Sequence, residues 1–112
     1  MKYKIVLVPF PFDDLSSKKV RPAICLTDKI KPYNHVVLAF ITSQVSAHPE
    51  LTDFVINVKD TDFVETGLRV SSMIRLHRLM TVSTSTIVRE LGKLPASMKP
   101  KIEFKLKELF KL

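Results

Sequence analysis

The chain has 112 residues, enough for one domain with a real core. Its 18 Lys and Arg against 11 acids leave a formal charge of +7, which suits nucleic acid, an acidic protein or an anionic surface and does not choose among them. The single Cys25 permits no internal disulfide, it and the three histidines have no metal-ligand spacing, and no apolar run is long enough to span a bilayer.

The start, Met1-Lys2-Tyr3-Lys4 followed by Ile5-Val6-Leu7-Val8, has the basic-then-apolar order of an export signal. Pro9 and Pro11 interrupt it and no small-residue cleavage site follows, so the expectation is a buried strand in a cytoplasmic protein. Residues 9–21 read as a loop, because prolines deny ladder donors and the Asp/Ser/Lys cluster is solvated. A second strand runs from Pro22 to Leu26, with Cys25 in it as a buried structural thiol rather than a nucleophile. After a polar connection from Thr27 to Asn34, the run from Val36 to Thr42, rich in β-branched residues and apolar on both faces, predicts a strand buried on both sides. It ends in the hydrogen-bonding residues Thr42-Ser43-Gln44.

A loop from Ser46 to Leu51 leads to a fourth strand, Phe54 to Val58, and an acidic turn, Lys59 to Asp62. Thr66-Gly67 is a turn, Leu68 to Arg75 is extended, and a short strand lies around Leu79-Met80-Thr81-Val82. From Ser83 the spacing of Ile87, Val88 and Leu91 predicts a helix capped by Ser/Thr, with Gly92 at its C′ position. Met98, Ile102, Leu106, Leu109 and Phe110 mark the stripe of a terminal helix whose first turn holds Pro100. Short, closely spaced strands followed by a helix predict a mainly β domain over residues 1–112, a strongly bent barrel-like sheet with helical cover.

Arg21 stands at a strand entrance behind the basic loop residues Lys18 and Lys19, a layout suited to closing over a phosphate. The alternative for each is a solvated surface charge. Thr42 and Ser43 either satisfy local backbone groups or orient a phosphate oxygen or ribose. In the segment from Arg69 to Arg78, alternation puts Arg69, Ser71 and Met73 on one face with Arg75, and Val70, Ser72 and Ile74 on the other. Such a strand is either half exposed or the wall of a groove that tracks a polynucleotide. His35, His48 and His77 are acid–base candidates that read first as solvated or locally paired, and Asp13 and Asp14 are either a carboxylate pair or, as is usual in such a loop, solvated turn residues. The two glycines are too few for a phosphate-cradling loop.

Several pieces occur in an order that resembles the MazF/PemK-like toxins, the ribonucleases of bacterial toxin–antitoxin systems. They are Ile5-Val6-Leu7-Val8-Pro9-Phe10, Lys19-Val20-Arg21-Pro22-Ala23, Phe40-Ile41-Thr42-Ser43, Thr66-Gly67-Leu68, Ser72-Met73-Ile74-Arg75 and the run from Ile87 to Leu94. The resemblance implies an SH3-like barrel with a C-terminal helix, dimerising so that grooves follow the subunit interface. It implies a cofactor-free, metal-independent endoribonuclease for single-stranded RNA, in which the 2′-OH attacks the adjacent phosphate. By the same resemblance Arg21 and Thr42 are catalytic, and Lys18, Lys19, Ser43, Gln44, Ser72 and Arg75 contact RNA. An acidic cognate antitoxin would cover the same basic surface. The chain departs from the family where several members have Asp-Gln and it has Ser72-Met73, and where some have arginine and it has Val70. A catalytically weak or inactive module that binds nucleic acid or protein is the alternative reading.

Overall fold

The period-two apolar runs become six antiparallel strands in a structure, a computed structural model, that describes residues 1–10 and 19–112. The strands are β1 (Lys4–Pro9), β2 (Val20–Cys25), β3 (His35–Thr42), β4 (Asp53–Ile56), β5 (Ser72–Ser83) and β6 (Arg89–Lys93). Their order in the sheet is β4-β5-β3-β2-β1-β6, and the sheet curls into a half-barrel covered by one C-terminal helix, α1 (Lys99–Phe110). Lys18, Asp13 and Asp14, all singled out in the sequence, lie outside the described residues.

The curl has a definite origin in the pairing of β3 with β5. Ala39 stands opposite Leu79, but the next residue, Phe40, stands opposite Arg75, so Leu76, His77 and Arg78 have no counterpart on β3. Extra residues on one strand bend it and increase its twist. The Leu76 N–H freed by this step donates instead to the Thr52 carbonyl at 2.9 Å. A smaller irregularity between Ile5 and Val6 skips Leu91 in the β1–β6 ladder.

The central strands bury both faces. Alternation sends Ile5, Ile24, Ala39, Ile41 and Ile74 into one core, closed by Phe63, Leu94, Met98 and Ile102 from the connections and α1. It sends Val6, Val8, Ala23, Cys25, Val36, Leu38, Phe40 and Val82 into a second core on the opposite face. The doubly apolar reading of Val36 to Thr42 therefore holds. Pro100 lies in the first turn of α1 as expected, and Ile102 is fully buried, whereas Phe110 is exposed and does not belong to the buried stripe.

The helix expected after Ser83 is not formed. Residues Thr84–Thr86 make one 3₁₀ turn, capped by the Ser83 hydroxyl, and the chain then extends into β6. Val88 N–H donates to the Leu7 carbonyl, which starts the β1–β6 ladder. Pairing with a waiting edge satisfies these amides as a helix would, and the β-branched pair Ile87-Val88 favours the extended form. Nor is Gly92 a helix cap. A Cβ there would lie 2.3 Å from the Glu65 carbonyl oxygen, and one on Gly67 would lie 2.0 Å from that of Leu91. The two glycines thus interlock the 3₁₀ turn Phe63–Thr66 with β6, and Gly67 also takes the left-handed φ of 71° that ends the turn. Further differences are smaller: β5 begins only at Ser72 and runs unbroken through the two segments expected separately, and β4 starts one residue early, at Asp53.

Tyr3 fastens the ends of these elements together. Its N–H donates to Cys25, its carbonyl accepts from Leu94, and its hydroxyl donates to Glu103 of α1 at 2.7 Å. Burial, reinforced by Glu103, pushes its phenol up to about 12. Burial also pushes the fully enclosed Cys25 thiol up to about 11.

Three outcomes test this packing. Gly92→Ala is expected to destabilise the protein by about 2–3 kcal/mol in urea unfolding, since backbone rather than a flexible side chain has to yield. Because Tyr3 is held neutral in the folded state, its contribution is complete below pH 10 and fades as pH rises toward 12; wild type should lose more stability than Tyr3→Phe across that window. Cys25 should stay unreactive to Ellman's reagent at pH 8 until denaturant is added.

Candidate functional site

Strand pairing dictates which side chains meet. In the β1–β2 ladder Val8 faces Arg21, and in the β2–β3 ladder Ala23 faces Phe40. Continuing that antiparallel register by two residues sets Arg21 beside Thr42, on the face of Val8, Ala23 and Phe40. Across the other side of β3, Phe40 faces Arg75. The step in β5 is what brings Arg75, rather than Arg78, to that position.

The result is a cavity of about 380 Å³ open to solvent at the end of the second core. Arg21, Thr42, Ser43, Gln44, Ser72 and Arg75, six residues singled out in the sequence, all line it. Lys19 is exposed on the adjoining hairpin, where its carbonyl accepts from Phe10 N–H at 3.1 Å, and is not part of the lining. Sequence reasoning gave no site role to Phe10 or Phe40 and offered Arg69 and Arg78 only as part of a strand that could wall a groove; these four and Val70 also line the cavity. The signal for the arginines was the density of bases between residues 69 and 78, and nothing marked the two aromatics.

Arg21 is half-buried, and its guanidinium lies 5.6 Å from the centre of the Phe10 ring. Phe10 itself packs edge-on against Phe40, with ring centres 4.9 Å apart. The aromatic pair gives the arginine an apolar wall and the negative face of a ring. The Thr42 Oγ1 accepts from Gln44 N–H at 3.1 Å, turning the chain out of β3 and leaving the hydroxyl hydrogen available to a ligand.

Ser72 is different. Alternation puts it with Ile74 on the core side, it is only 3 % exposed, and its hydroxyl donates to the Val70 carbonyl at 2.9 Å. It forms part of the cavity floor as a satisfied core residue. Arg75 contributes through a fixed geometry: its Nε donates to Asp53 Oδ1 at 3.2 Å, and the Asp53 carboxylate is 2 % exposed. Nothing in the sequence marked Asp53, because an acid at the mouth of a strand ordinarily faces water.

Arg21, Arg69, Arg75 and Arg78 thus surround one opening, and the described lining contains no carboxylate or imidazole. A cluster of permanently charged forked donors with threonine, serine and glutamine between them is built for phosphate oxygens. Among the described residues there is no group of acids, histidines and cysteines able to hold a metal ion, and no helix long and apolar enough to cross a membrane. The terminal carboxylate–lysine surface of α1 and the three histidines stand outside the cavity.

Known proteins share this fold. A protein-family model described as PemK-like, MazF-like toxin of type II toxin-antitoxin system matches residues 1–110. No curated protein sequence matches the chain. Among solved structures, the Mycobacterium tuberculosis toxin MazF-mt6 superposes with a TM-score of 0.73 at 23 % identity, covering 97 % of each chain. An endoribonuclease in complex with its cognate antitoxin from a mycobacterial species gives 0.73 at 12 % identity, covering 100 % of this chain and 95 % of that one. A further Mtb toxin gives 0.63 at 23 % identity over 79 % of this chain and 90 % of its own. At these identities the superpositions speak for the fold, and the family match over nearly the whole length speaks for kinship: the chain belongs to the PemK-like, MazF-like toxins of type II toxin–antitoxin systems.

Proposed function

We propose that this toxin is an endoribonuclease that cuts single-stranded RNA without a metal ion. The observation that carries the reading is the convergence of Arg21, Thr42 and three further arginines on one cavity with no described acid in its lining. An RNA strand laid there has its scissile phosphate between Arg21 and Thr42. The neighbouring ribose 2′-OH gives its proton to water as its oxygen attacks phosphorus, the bond to the 5′-oxygen breaks, and the products are a 2′,3′-cyclic phosphate and a free 5′-OH. Charge grows on the non-bridging oxygens in the transition state, where fixed guanidinium donors act most strongly. Arg21 stabilises that charge and hands a proton to the departing 5′-oxygen, regaining one from the water that took the 2′-OH proton. Thr42 orients the phosphate, and Ser43 and Gln44 line the path of the strand. Arg75 holds a flanking phosphate, and Lys18 and Lys19 add positive charge that favours RNA.

The chain works as a single domain, as a homodimer, in the cytoplasm. It is held in check by an acidic antitoxin whose tail competes for the same arginines. Support for the partner comes from the family and from the antitoxin complex of a structural neighbour.

A second reading is favoured by one observation. Ser72 occupies the position where several family members carry an acid, and here it is buried and bonded to its own backbone. With no general base in the described lining, the same cavity also suits a module that binds RNA without cutting it.

Long single-stranded RNA incubated in EDTA with wild type and with Arg21→Ala separates the two. Discrete new 5′-OH ends from wild type only, with a loss of roughly a hundredfold or more in the variant, are expected for the nuclease. Binding that weakens steeply with salt but yields no cuts from either protein overturns cleavage and leaves the binding module.

A further inference from the structure

We infer that Asp53, outside the cavity and unmarked in the sequence, is the positioning residue that aims Arg75 at the RNA. This deepens the proposed nuclease and rests on that reading of the cavity. The Asp53 carboxylate is almost wholly removed from water, and two donors compensate it: Arg75 Nε at 3.2 Å on Oδ1, and Glu50 N–H at 2.9 Å on Oδ2. A buried carboxylate tolerates its surroundings only while such donors stay in place, so the ion pair fixes the guanidinium plane as firmly as it fixes the acid. The contact uses Nε, the innermost nitrogen. The rest of the fork belongs to a side chain that is 31 % exposed and lines the cavity.

The surrounding contacts fit this role. Three consecutive residues of β5, at and just past the step that bends the sheet, are all held by Thr52 and Asp53. Arg75 meets the Asp53 carboxylate, Leu76 N–H donates to the Thr52 carbonyl at 2.9 Å, and His77 Nδ1 lies 2.8 Å from Thr52 Oγ1. Lys105 Nζ of α1 donates to the Leu51 carbonyl at 2.9 Å, anchoring the same segment to the helix. Neither Thr52 nor Asp53 touches the cavity. Their effect on RNA therefore passes through β5.

The test is a double-mutant cycle of Asp53→Asn and Arg75→Ala, read by cleavage kinetics, oligonucleotide affinity and the ¹⁵Nε–¹Hε resonance of Arg75. Asn conserves volume but removes the charge. Asp53→Asn should raise KM or Kd roughly tenfold with kcat little changed, and should shift the Arg75 Hε signal and quicken its exchange. In the Arg75→Ala background the same change should cost almost nothing more. An unmoved Hε signal, or an equal loss with and without Arg75, overturns the assignment. Should Asp53→Asn fail to fold, Arg75→Lys, which keeps the charge but not the Nε donor, is expected to weaken binding comparably; wild-type affinity there also overturns it. If wild type cuts no RNA the nuclease reading fails, while the resonance and the affinity cycle still decide the role of Asp53.

Discussion

Everything distinctive about this molecule depends on one mismatch in a β-ladder, the three residues of β5 that find no counterpart between Ala39 and Phe40 of β3. With a regular register Phe40 would face Arg78, the sheet would be flatter, and the basic segment would run along its edge. The step bends β5 so that its first part pairs with β4 and the end of β3, while its second part pairs with the start of β3. One strand of twelve residues thereby serves two parts of a curled sheet. The bend and the arginine cavity have one cause.

That geometry explains how strong positive charge is tolerated at the mouth of an apolar core. Two of the arginines are held by different devices. Arg21 lies against the Phe10 ring, braced in turn by Phe40, whereas Arg75 is tied to a buried carboxylate. At Arg75 the contact through Nε fixes the charged group while its side chain still lines the cavity. Fixed donors lose little freedom when a phosphate arrives, which makes them more effective than long solvated side chains. Lys19, exposed on the hairpin, is a contrast: it adds to the field from outside the cavity lining.

The second dependence is at the far end of the sheet. The chain's two glycines serve one joint from opposite sides, Gly67 against Leu91 and Gly92 against Glu65 and Thr66, and let the 3₁₀ turn lie directly on β6. The buried Thr66 hydroxyl, donating to Phe63 and accepting from Leu68 N–H, completes that joint. The turn delivers Phe63 to the core beneath α1, while Leu68 and Arg69 after it reach the cavity. A structural joint without chemistry of its own thus places two residues of the site.

The mainly β class, five of the six strands, the terminal helix with Pro100 in its first turn, and the burial of Cys25 were all legible in the sequence. These are local matters of period, propensity and proline. The sequence also marked Arg21, Thr42, Ser43, Gln44 and Arg75, because charge and hydroxyls interrupt apolar runs there. Only the tertiary structure decided that Ile87 to Leu91 is not a helix, since the same spacing fits either state and an open edge of β1 captures it. Only it turned Ser72 into a satisfied core residue, made Asp53 a buried partner of Arg75, and set Gly92 against Thr66. Each of those outcomes comes from contacts between residues distant in the chain or from the register of a ladder, and neither is written in the spacing of neighbours.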